Sequence, residues 1–229
     1  MRKLIVSEFV TLDGVMEAPG GEPTHPHTGW VADLQGPEQV DHKFQEVADA
    51  DVLLVGRVTY ESFAGAWPTY EGAFADRMNS MRKVVVSSTL TDPQWANTTV
   101  VPDLDGVRAL REEDGGPILV NGSAQLVHAL LLADLVDVLR LMVFPVSIGS
   151  GLRVFPDDQV KVAWERVAST DFPSGVREDD YRPVRCGHHD HTGTRHLPAG
   201  FCAPALIGAV VLCGPAALPH TTSRPFPAN

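Results

Sequence analysis

The chain has 229 residues, 44% hydrophobic and 21% charged, which is the balance of a globular protein with one sizeable core or two small ones. Its formal net charge is −11 and its basic residues occur singly, which argues against a nucleic-acid-binding surface. The first ten residues, MRKLIVSEFV, are not expected to be a signal peptide because Glu8 interrupts a short apolar run, and we expect a cytoplasmic protein.

The first predicted elements are a strand, a long loop and a helix. Lys3–Val10 is predicted to be a strand, and the residues that follow it through Trp30 form a loop rich in Gly, Pro and Thr. A loop of this length in a compact domain usually has a function. Pro37–Ala48 is predicted to be a helix that begins after Gly36. Its buried face is predicted from three apolar residues at helical spacing: Val40, Phe44 and Val47.

Strands and helices then alternate, a pattern that predicts crossover units and a mostly parallel sheet in an α/β fold. The predicted strands are Asp51–Val55, Lys83–Ser87, Thr98–Val101, Pro117–Val120 and Val136–Phe144. The predicted helices are Thr59–Ala66, Tyr70–Met81, Leu104–Glu112 and Ser123–Leu132. Two final strands, Lys161–Thr170 and Gly175–Tyr181, have no helix between them and predict an antiparallel edge.

Three of these strands end in small or polar residues that lead directly into a helix or turn. Their sequences are LLVGRVT, VVVSSTL and ILVNGSAQL. In a parallel sheet such strand ends lie along one rim, where ligands bind. A helix N-terminus at that rim offers free N–H groups and partial positive charge to a phosphate. The residues that this pattern selects are Gly56, Arg57, Thr59, Ser87, Ser88, Asn121, Gly122 and Ser123.

Two interpretations of the strand ends stay open. Gly56 and Gly122 would let a phosphate approach the backbone closely, and Arg57 would add a planar cation suited to it. Alternatively, the glycines only form turns and the serines only cap helices. Neither a GxGxxG fingerprint nor a GxxxxGK[ST] P-loop occurs in the sequence.

Five stretches spread in order over about residues 3–184 resemble one known family. They are SEFVTLDGV, ADVLLVGRVTYESFAGAWP, KVVVSSTL, ILVNGSAQLVHALLLADLVDVLRLMVFPVSIGSGLRVF and SGVREDDYRP. In them the chain resembles the dihydrofolate-reductase-like superfamily, in particular stand-alone proteins related to the C-terminal reductase domain of bifunctional riboflavin-biosynthesis enzymes. The resemblance implies a three-layer α-β-α fold around a mixed sheet of about eight strands. It also implies NADPH as the cofactor, with NADH left open because no second arginine follows Ser88.

The resemblance further implies where this cofactor binds. The residues that match the joint beside its phosphates are Gly56, Arg57 and Thr59. Those that match the surroundings of the adenosine ribose and its 2′-phosphate are Ser87 and Ser88. Those that match the pyrophosphate site are Asn121, Gly122 and Ser123. The backbone positions that match the surroundings of the nicotinamide are Gly149 and Gly151.

Hydride transfer to a C=N or C=O group also needs a proton donor, for which Asp13 and Asp41 are the candidates, with Glu17 as a further carboxylate on the long loop. The resemblance places the LDG turn at the mouth of the pocket, although an Asp-Gly pair by itself marks a turn. Asp41 lies next to Val40, which occupies the place of the substrate-binding carboxylate of dihydrofolate reductases. Three aromatic residues are candidates either to stack on a flat substrate or to pack in the core: Trp30, Tyr60 and Trp67.

The composition changes after Arg185, which predicts a reductase domain over 1–184 and a disordered tail over 185–229. All three cysteines lie in the tail, so the cysteine-free domain suits a reducing cytoplasm. The tail begins with four residues of metal-ligand type, Cys186, His188, His189 and His191. No metal is expected, because their spacing matches no structural site. The 28 residues between Arg195 and Arg224 carry no charge, but their prolines and glycines make a membrane-spanning helix unlikely to form.

The sequence therefore predicts an NAD(P)H-dependent reductase acting on a pteridine- or pyrimidine-like heterocycle, similar to dihydrofolate reductase and to the uracil-type reductase of riboflavin biosynthesis. The alternative is a nucleotide-binding protein of the same fold without catalytic activity. The expected partner is a small heterocyclic substrate, with no nucleic acid and no membrane, and a homodimer is left open.

Overall fold

The computed structural model describes residues 1–157 and 161–185, and Met1–Cys186 forms one compact unit. Its strands are β1 (Leu4–Thr11), β2 (Val52–Gly56), β3 (Arg82–Val86), β4 (Thr98–Val101), β5 (Ile118–Val120), β6 (Val138–Phe144), β7 (Trp164–Asp171) and β8 (Arg177–Pro183). Its α-helices are α1 (Pro37–Asp49), α2 (Arg57–Ala66), α3 (Ala73–Ser80), α4 (Leu104–Glu112) and α5 (Ala124–Leu132). Within the described residues, no helix is long and apolar enough to cross a membrane. The predicted tail lies, after Arg185, outside the described residues.

The strands form one mixed sheet in the order β4-β3-β2-β5-β1-β6-β8-β7. Neighbouring strands from β4 to β6 are parallel, whereas β8 runs antiparallel to both β6 and β7. A short turn joins β7 to β8, and only antiparallel strands can be joined so tightly. The predicted α/β fold with an antiparallel C-terminal edge is therefore confirmed.

Helices cover both faces of this sheet. One face carries α4 and α5, which bury Val107, Leu110, Leu126 and Leu130 against it. The other face carries α1, α2 and α3, which bury Val47, Tyr60 and Met78. Because the central strands are buried on both faces, β2 and β5 have continuous apolar sequences, VLLVG and ILV. The predicted three-layer α-β-α arrangement is confirmed.

The strands β1 and β5 separate at the point where β5 ends. They pair in parallel from Leu4 opposite Ile118 to Val6 opposite Val120. Beyond that point β1 continues to Thr11 with β6 on its other side. The chain leaves β1 towards β2 but leaves β5 towards β6, in opposite directions along the sheet. Such a switch point opens a crevice beyond the carboxyl ends of the two strands.

Two helices differ from their predictions. On α1, Val40 is 39% exposed and Phe44 is half-buried, so the predicted apolar face was wrong for these positions. The buried face instead carries Gln39, Lys43, Glu46 and Val47. Burial of the charged members is tolerated because they pair with each other and with the sheet. The helix α3 begins at Ala73 rather than Tyr70, because Gly72 has a φ of +101°, which a helix interior does not allow.

Candidate functional site

A cavity of about 1130 Å³ runs along the carboxyl ends of β4, β3, β2, β5 and β1. Sites for one small ligand have volumes of roughly 300–1,000 Å³, so this cavity has room for a cofactor together with a substrate. It brings together all eight residues selected from the three strand ends: Gly56, Arg57, Thr59, Ser87, Ser88, Asn121, Gly122 and Ser123.

Two helix N-termini open side by side onto this cavity. The helix α2 begins directly after Gly56, and α5 begins directly after Ser123. The Ser123 Oγ accepts a hydrogen bond from the Gly56 N–H at 2.7 Å and so connects the two strand ends. The first turns of both helices have N–H groups without intrahelical acceptors, and such groups bind phosphate.

The connection between β5 and α5 has the shape of a cradle for a bound ligand. Gly122 has a φ of +67°, and a Cβ there would lie 3.1 Å from the Thr59 Cγ2. Ser123 adopts the same left-handed conformation with φ +69°, which is uncommon for a residue other than glycine. The Asn121 Oδ1 is buried and has no hydrogen-bond partner among the described residues. A dinucleotide could approach the Gly122 backbone closely and donate a hydrogen bond to the Asn121 Oδ1, so this connection fits such a ligand.

Arg57 lies at the first position of α2, where its side chain lines the cavity. Its Nη1 contacts the two Glu61 carboxylate oxygens at 2.8 and 3.0 Å. Both side chains are about half exposed, at 45% and 51%. An exposed pair of this spacing is worth only about 0.3–0.5 kcal/mol, so the guanidinium can exchange Glu61 for a phosphate at small cost.

At the end of β3, Ser87 both stabilises a turn and lines the cavity, so the structural and the binding interpretation of the strand end apply together. The Ser87 Oγ accepts hydrogen bonds from the Thr89 N–H at 3.2 Å and the Leu90 N–H at 3.0 Å, which makes it a turn residue. Ser87 and Ser88 nevertheless line the cavity. Asp103, the N-cap of α4, lines the same end of the cavity and accepts from its own helix.

One of the three predicted aromatic contacts lies in the cavity wall. Trp67 lines the cavity beside Phe63, Tyr70 and Phe74, with ring centroids 5.1–6.3 Å from its own. These rings form an apolar wall at the end of α2, which suits a flat heterocycle.

The other two aromatic candidates are not among the described residues that line the cavity. The Trp30 Nε1 donates to the Glu17 carbonyl at 2.8 Å, and its ring packs against Phe144. Tyr60 is only 3% exposed, and its hydroxyl accepts the Trp95 N–H at 2.9 Å. Both arrangements are core packing, the alternative given above.

The two predicted proton donors are also not among the described residues that line the cavity. Asp41 is exposed on α1. Asp13 accepts the hydroxyl of Thr11 and, at 2.8 Å, the N–H of Gly149. The Thr11 hydroxyl, followed by the Gly149 N–H, holds the pKa of Asp13 below its usual range, which favours a structural carboxylate over a proton donor.

Asp13 belongs to a set of contacts that joins two loops. The Met16 N–H donates to the Leu152 carbonyl at 2.9 Å, and the Leu152 N–H donates to Glu17 at 2.9 Å. Gly151 has a φ of +119°, and a Cβ there would lie 2.7 Å from Val15. Gly149 and Gly151 therefore shape these loops, which we name the paired loops, 12–17 and 146–154. Glu17 and Leu152 bring them to the cavity wall.

Glu8 is a cavity residue that the sequence did not indicate as functional. It lies on β1 beyond the last pair with β5 and is 4% exposed. Its Oε2 accepts the Gly122 N–H at 3.0 Å, while its Oε1 has no partner among the described residues. Burial raises its pKa to about 8, although the Gly122 N–H and the charge of Lys43 lower it. Burial thus favours the neutral carboxylic acid form of Glu8 at pH 7.

Lys43 is the second cavity residue that the sequence did not indicate. Its Nζ donates to the Ser7 Oγ at 2.7 Å and to Glu46. The Arg140 Nη1 donates to the same Glu46 at 2.8 Å and pairs through two further bonds with Asp180. Burial raises the pKa of Glu46, but Lys43 and Arg140 outweigh it and hold that pKa below the ordinary value. A buried ion network thus fixes the Lys43 ammonium in the cavity wall.

The signal that could have found this wall is a pair of polar residues in the middle of a central strand. Ser7 and Glu8 interrupt the otherwise apolar run from Leu4 to Val10 in β1, and they point to opposite faces of the sheet. Both line the cavity, together with Phe9. Because consecutive side chains point to opposite faces, they can line one cavity only where that cavity extends around an unpaired edge of the strand. In β1 this edge is the one beside the crevice at the end of β5.

A metal site has no support in the described part of the chain. Among residues 1–157 and 161–185, no group of three or more His, Cys, Asp and Glu side chains could hold a metal ion. The histidines and cysteine at the start of the tail lie outside these residues.

The family model of the RibD C-terminal domain matches residues 2–177. The chain belongs to this family. Two relatives are the uncharacterized proteins YyaP and YwjB of Bacillus subtilis. They are 27% and 26% identical to it, over 76% and 67% of this chain and 92% and 83% of their own lengths. The resemblance found in the sequence motifs is thus confirmed.

Solved structures with the same fold cover 80% of this chain. A putative riboflavin biosynthesis protein from Shewanella has a TM-score of 0.65 at 20% identity and is covered over 99% of its length. The dihydrofolate reductase of Enterococcus faecalis, solved with NADP(H), has a TM-score of 0.55 at 19% identity and 97% coverage. A pyrimidine reductase-like protein from Corynebacterium diphtheriae has a TM-score of 0.56 at 14% identity and 92% coverage. At these identities the likeness establishes the fold, which is dihydrofolate-reductase-like.

Proposed function

We propose that the chain is an NAD(P)H-dependent reductase that transfers hydride to a C=N or C=O group of a pteridine- or pyrimidine-like heterocycle. The observation that carries this proposal is one cavity that extends from the helix N-termini after β2 and β5 to the buried acid Glu8 on β1. The helix N-termini suit the phosphates of a dinucleotide. The acid meets the need for a proton at the atom that receives the electrons.

The residues that would hold the dinucleotide are those of the two connected strand ends. Arg57 and the α2 N-terminus would contact phosphate, and the Gly122 backbone would allow close approach. The bound dinucleotide would supply the hydride. The Trp67 wall would hold the flat ring of the substrate. The NADP(H) of the Enterococcus dihydrofolate reductase and the names of the riboflavin biosynthesis and pyrimidine reductase-like neighbours support the same assignment.

The proposal is tested by adding NADPH and NADH to the protein and measuring thermal unfolding. A ligand at about 100 times its Kd adds roughly 2.7 kcal/mol to the stability of the folded state. An unchanged melting temperature with both dinucleotides would contradict the proposal. NADPH oxidation is then measured with a panel of oxidised pterins and pyrimidines. Binding without oxidation of any panel member would favour the alternative of a nucleotide-binding protein without activity.

Arg57 provides the residue-level test. A charge-assisted contact to phosphate is worth about 1.5–3 kcal/mol, so Arg57→Ala should weaken NADPH binding by about 10- to 150-fold. Glu61→Ala is the matched control, because it breaks the same surface pair yet frees the guanidinium, and it should bind NADPH at least as tightly as the wild type. Equal losses for NADH and NADPH would assign Arg57 to the pyrophosphate, and a loss for NADPH alone would assign it to the 2′-phosphate. Unchanged affinity for both would leave Arg57 as a surface residue.

A further inference from the structure

Glu8 lies on β1 at the crevice where β1 and β5 separate. Hydrogen bonding between β1 and β5 stops at Val6 opposite Val120, two residues before Glu8. Its carboxyl spans the resulting gap and accepts the Gly122 N–H, the backbone group at the start of the predicted pyrophosphate cradle. Glu8 is thereby fixed beside the strand end at which we expect the dinucleotide to bind.

The hydrogen-bond state of this carboxyl is incomplete. The Oε2 is used by Gly122, but the buried Oε1 has no partner among the described residues. A neutral carboxyl that accepts an N–H on one oxygen carries its proton on the other. That O–H lacks an acceptor, and a buried polar group without a partner costs roughly 1–3 kcal/mol. Oε1 itself is buried, but Glu8 lines the cavity, so a substrate atom that reaches this oxygen would provide the acceptor.

Burial favours the protonated form of Glu8 before the reaction, and a nearby cation stabilises the carboxylate that the reaction leaves. From α1, the Lys43 ammonium lowers the pKa of Glu8 and the Glu46 carboxylate raises it, while burial raises it most. Arg140 on β6 neutralises Glu46 through a 2.8 Å contact. From the long loop, Glu17 lines the same cavity, and its Oε2 is used by the Leu152 N–H. An ionised Glu8 would thus have a fixed cation, Lys43, in its surroundings.

We propose that Glu8 is the proton donor of the reduction, an assignment that rests on the proposed function. The substrate carbon gains the hydride and forms a new C–H bond. The π electrons of its C=N or C=O bond become a lone pair on nitrogen or oxygen. That atom takes the proton as the O–H bond of Glu8 breaks, which leaves a carboxylate that water reprotonates after the product leaves. The substrate class is accordingly a heterocycle whose reducible bond ends in a hydrogen-bond acceptor.

The first experiment titrates Glu8 in the protein alone by carbon-13 NMR of labelled glutamate carboxyls, with Glu8→Gln identifying its signal. The expected result is a titration near pH 8. A titration near the ordinary value of 4.5 would overturn the assignment, because Glu8 would then be ionised at neutral pH. The titration is measured on the wild-type protein. If Glu8→Gln folds poorly, Glu8→Asp identifies the signal instead, because it also removes one labelled glutamate.

The second experiment measures NADPH affinity and the single-turnover rate of NADPH oxidation with the best panel substrate. Glu8→Gln should keep its NADPH affinity and lose about 100- to 10,000-fold in rate. It should also lack the decline in rate above about pH 8 that we expect of the wild type. Glu178→Gln is the matched control. Glu178 is also buried with one unpartnered oxygen but is not among the described lining residues, so its rate should not change.

Three outcomes are distinguishable. If the wild type does not bind NADPH, both the proposed function and the role of Glu8 are overturned. If it binds and oxidises NADPH while Glu8→Gln keeps the wild-type rate and pH profile, only the role of Glu8 is overturned. Glu178 contacts His42 and also Arg140 of the ion network. If Glu178→Gln slows the reaction as much as Glu8→Gln, the loss arises from disturbing that network and the assignment is likewise overturned.

Discussion

Two of the described lysines are buried. We interpret Lys83 as structural and Lys43 as part of the candidate site. Lys83 on β3 is fully buried, and its Nζ donates to the carbonyls of Asn79, Met81 and Ala96 at 2.8–3.1 Å. Its ammonium also lies 4.3 Å from the ring centroid of Trp95. Lys43 is hydrogen-bonded as well, but it lines the cavity near Glu8, whose Oε1 has no partner among the described residues.

The difference teaches how a buried charge can be interpreted. All three donors of Lys83 are used by backbone carbonyls, so it fastens the end of α3 to the start of β4 and has no capacity left for a ligand. The cavity that Lys43 lines also contains Glu8 and Asn121, whose Oε1 and Oδ1 have no partner among the described residues. Saturated hydrogen bonding indicates a structural group, and unfilled hydrogen bonding beside a cavity indicates a binding site.

Lys43→Met should have the largest effect on stability. It leaves Glu46 buried with the compensation of Arg140 alone, and breaking a buried pair costs about 3–5 kcal/mol. Urea denaturation measures the change. The double variant Lys43→Met/Glu46→Leu should recover most of the loss, since both charges are then absent. A double variant as unstable as the single one would show that packing, not charge, supports this wall.

The pH dependence of stability should come next in size. Burial raises the pKa of Glu8 to about 8, above its value of 4.5 in the unfolded chain. Between these values the folded protein holds a proton that the unfolded chain lacks, so this contribution to stability decreases as pH rises, by up to about 1.4 kcal/mol per pH unit. Urea denaturation across this window should give a smaller slope for Glu8→Gln, which should also be the more stable protein above pH 8. If the free energy of unfolding changed equally with pH in the wild type and in Glu8→Gln, Glu8 would not have the raised pKa expected of it.

Lys83→Met should cost about 1–3 kcal/mol, because it leaves buried carbonyls without a donor. NADPH affinity should stay at the wild-type value, since Lys83 is not among the described lining residues. Burial, and then the like charge of Arg77, lowers the pKa of Lys83 to about 8 from 10.5. The unfolded chain therefore binds more protons between these values, so this contribution to stability rises with pH there and is absent from the variant. A loss of NADPH affinity in Lys83→Met would contradict the interpretation of Lys83 as a purely structural lysine.

Asp41→Asn should have the smallest effect. An exposed helix residue away from special contacts changes stability by within about 0.5 kcal/mol, and the rate of NADPH oxidation should stay unchanged. A large loss of rate would restore Asp41 as the proton donor predicted from the sequence and would remove that role from Glu8.

The sequence was sufficient to predict those parts of the fold that are determined by neighbouring residues in the chain. The apolar strands, the helical spacings and the short turn before β8 predicted the sheet and its antiparallel edge. The strand ends at Gly56 and Gly122 were also recognisable, because only a few residue types suit a tight strand-to-helix connection. The resemblance, carried by the same motifs, added the number of layers and the expected cofactor.

The acid of the site could not be predicted because its burial has no local cause. Glu8 is buried at a crevice only because β5 is three residues long and ends at Val120, while β1 continues to Thr11. Lys43 and Glu46 have the spacing of a solvent-exposed helix pair, and they are buried because Ser7 and Arg140 arrive from distant strands. Tertiary pairing therefore overrides the apolar periodicity of α1.

The paired loops have a consequence for how fast the cavity can change shape. Asp13, Met16 and Leu152 each contribute a hydrogen bond between loops 12–17 and 146–154. Linked bonds of this kind open together as a cooperative unit, so the amide hydrogens of Met16, Gly149 and Leu152 should exchange with solvent at similar rates. A ligand that requires this wall to move then enters at the opening rate of the loops, rather than at the rate of its diffusional encounter with the protein.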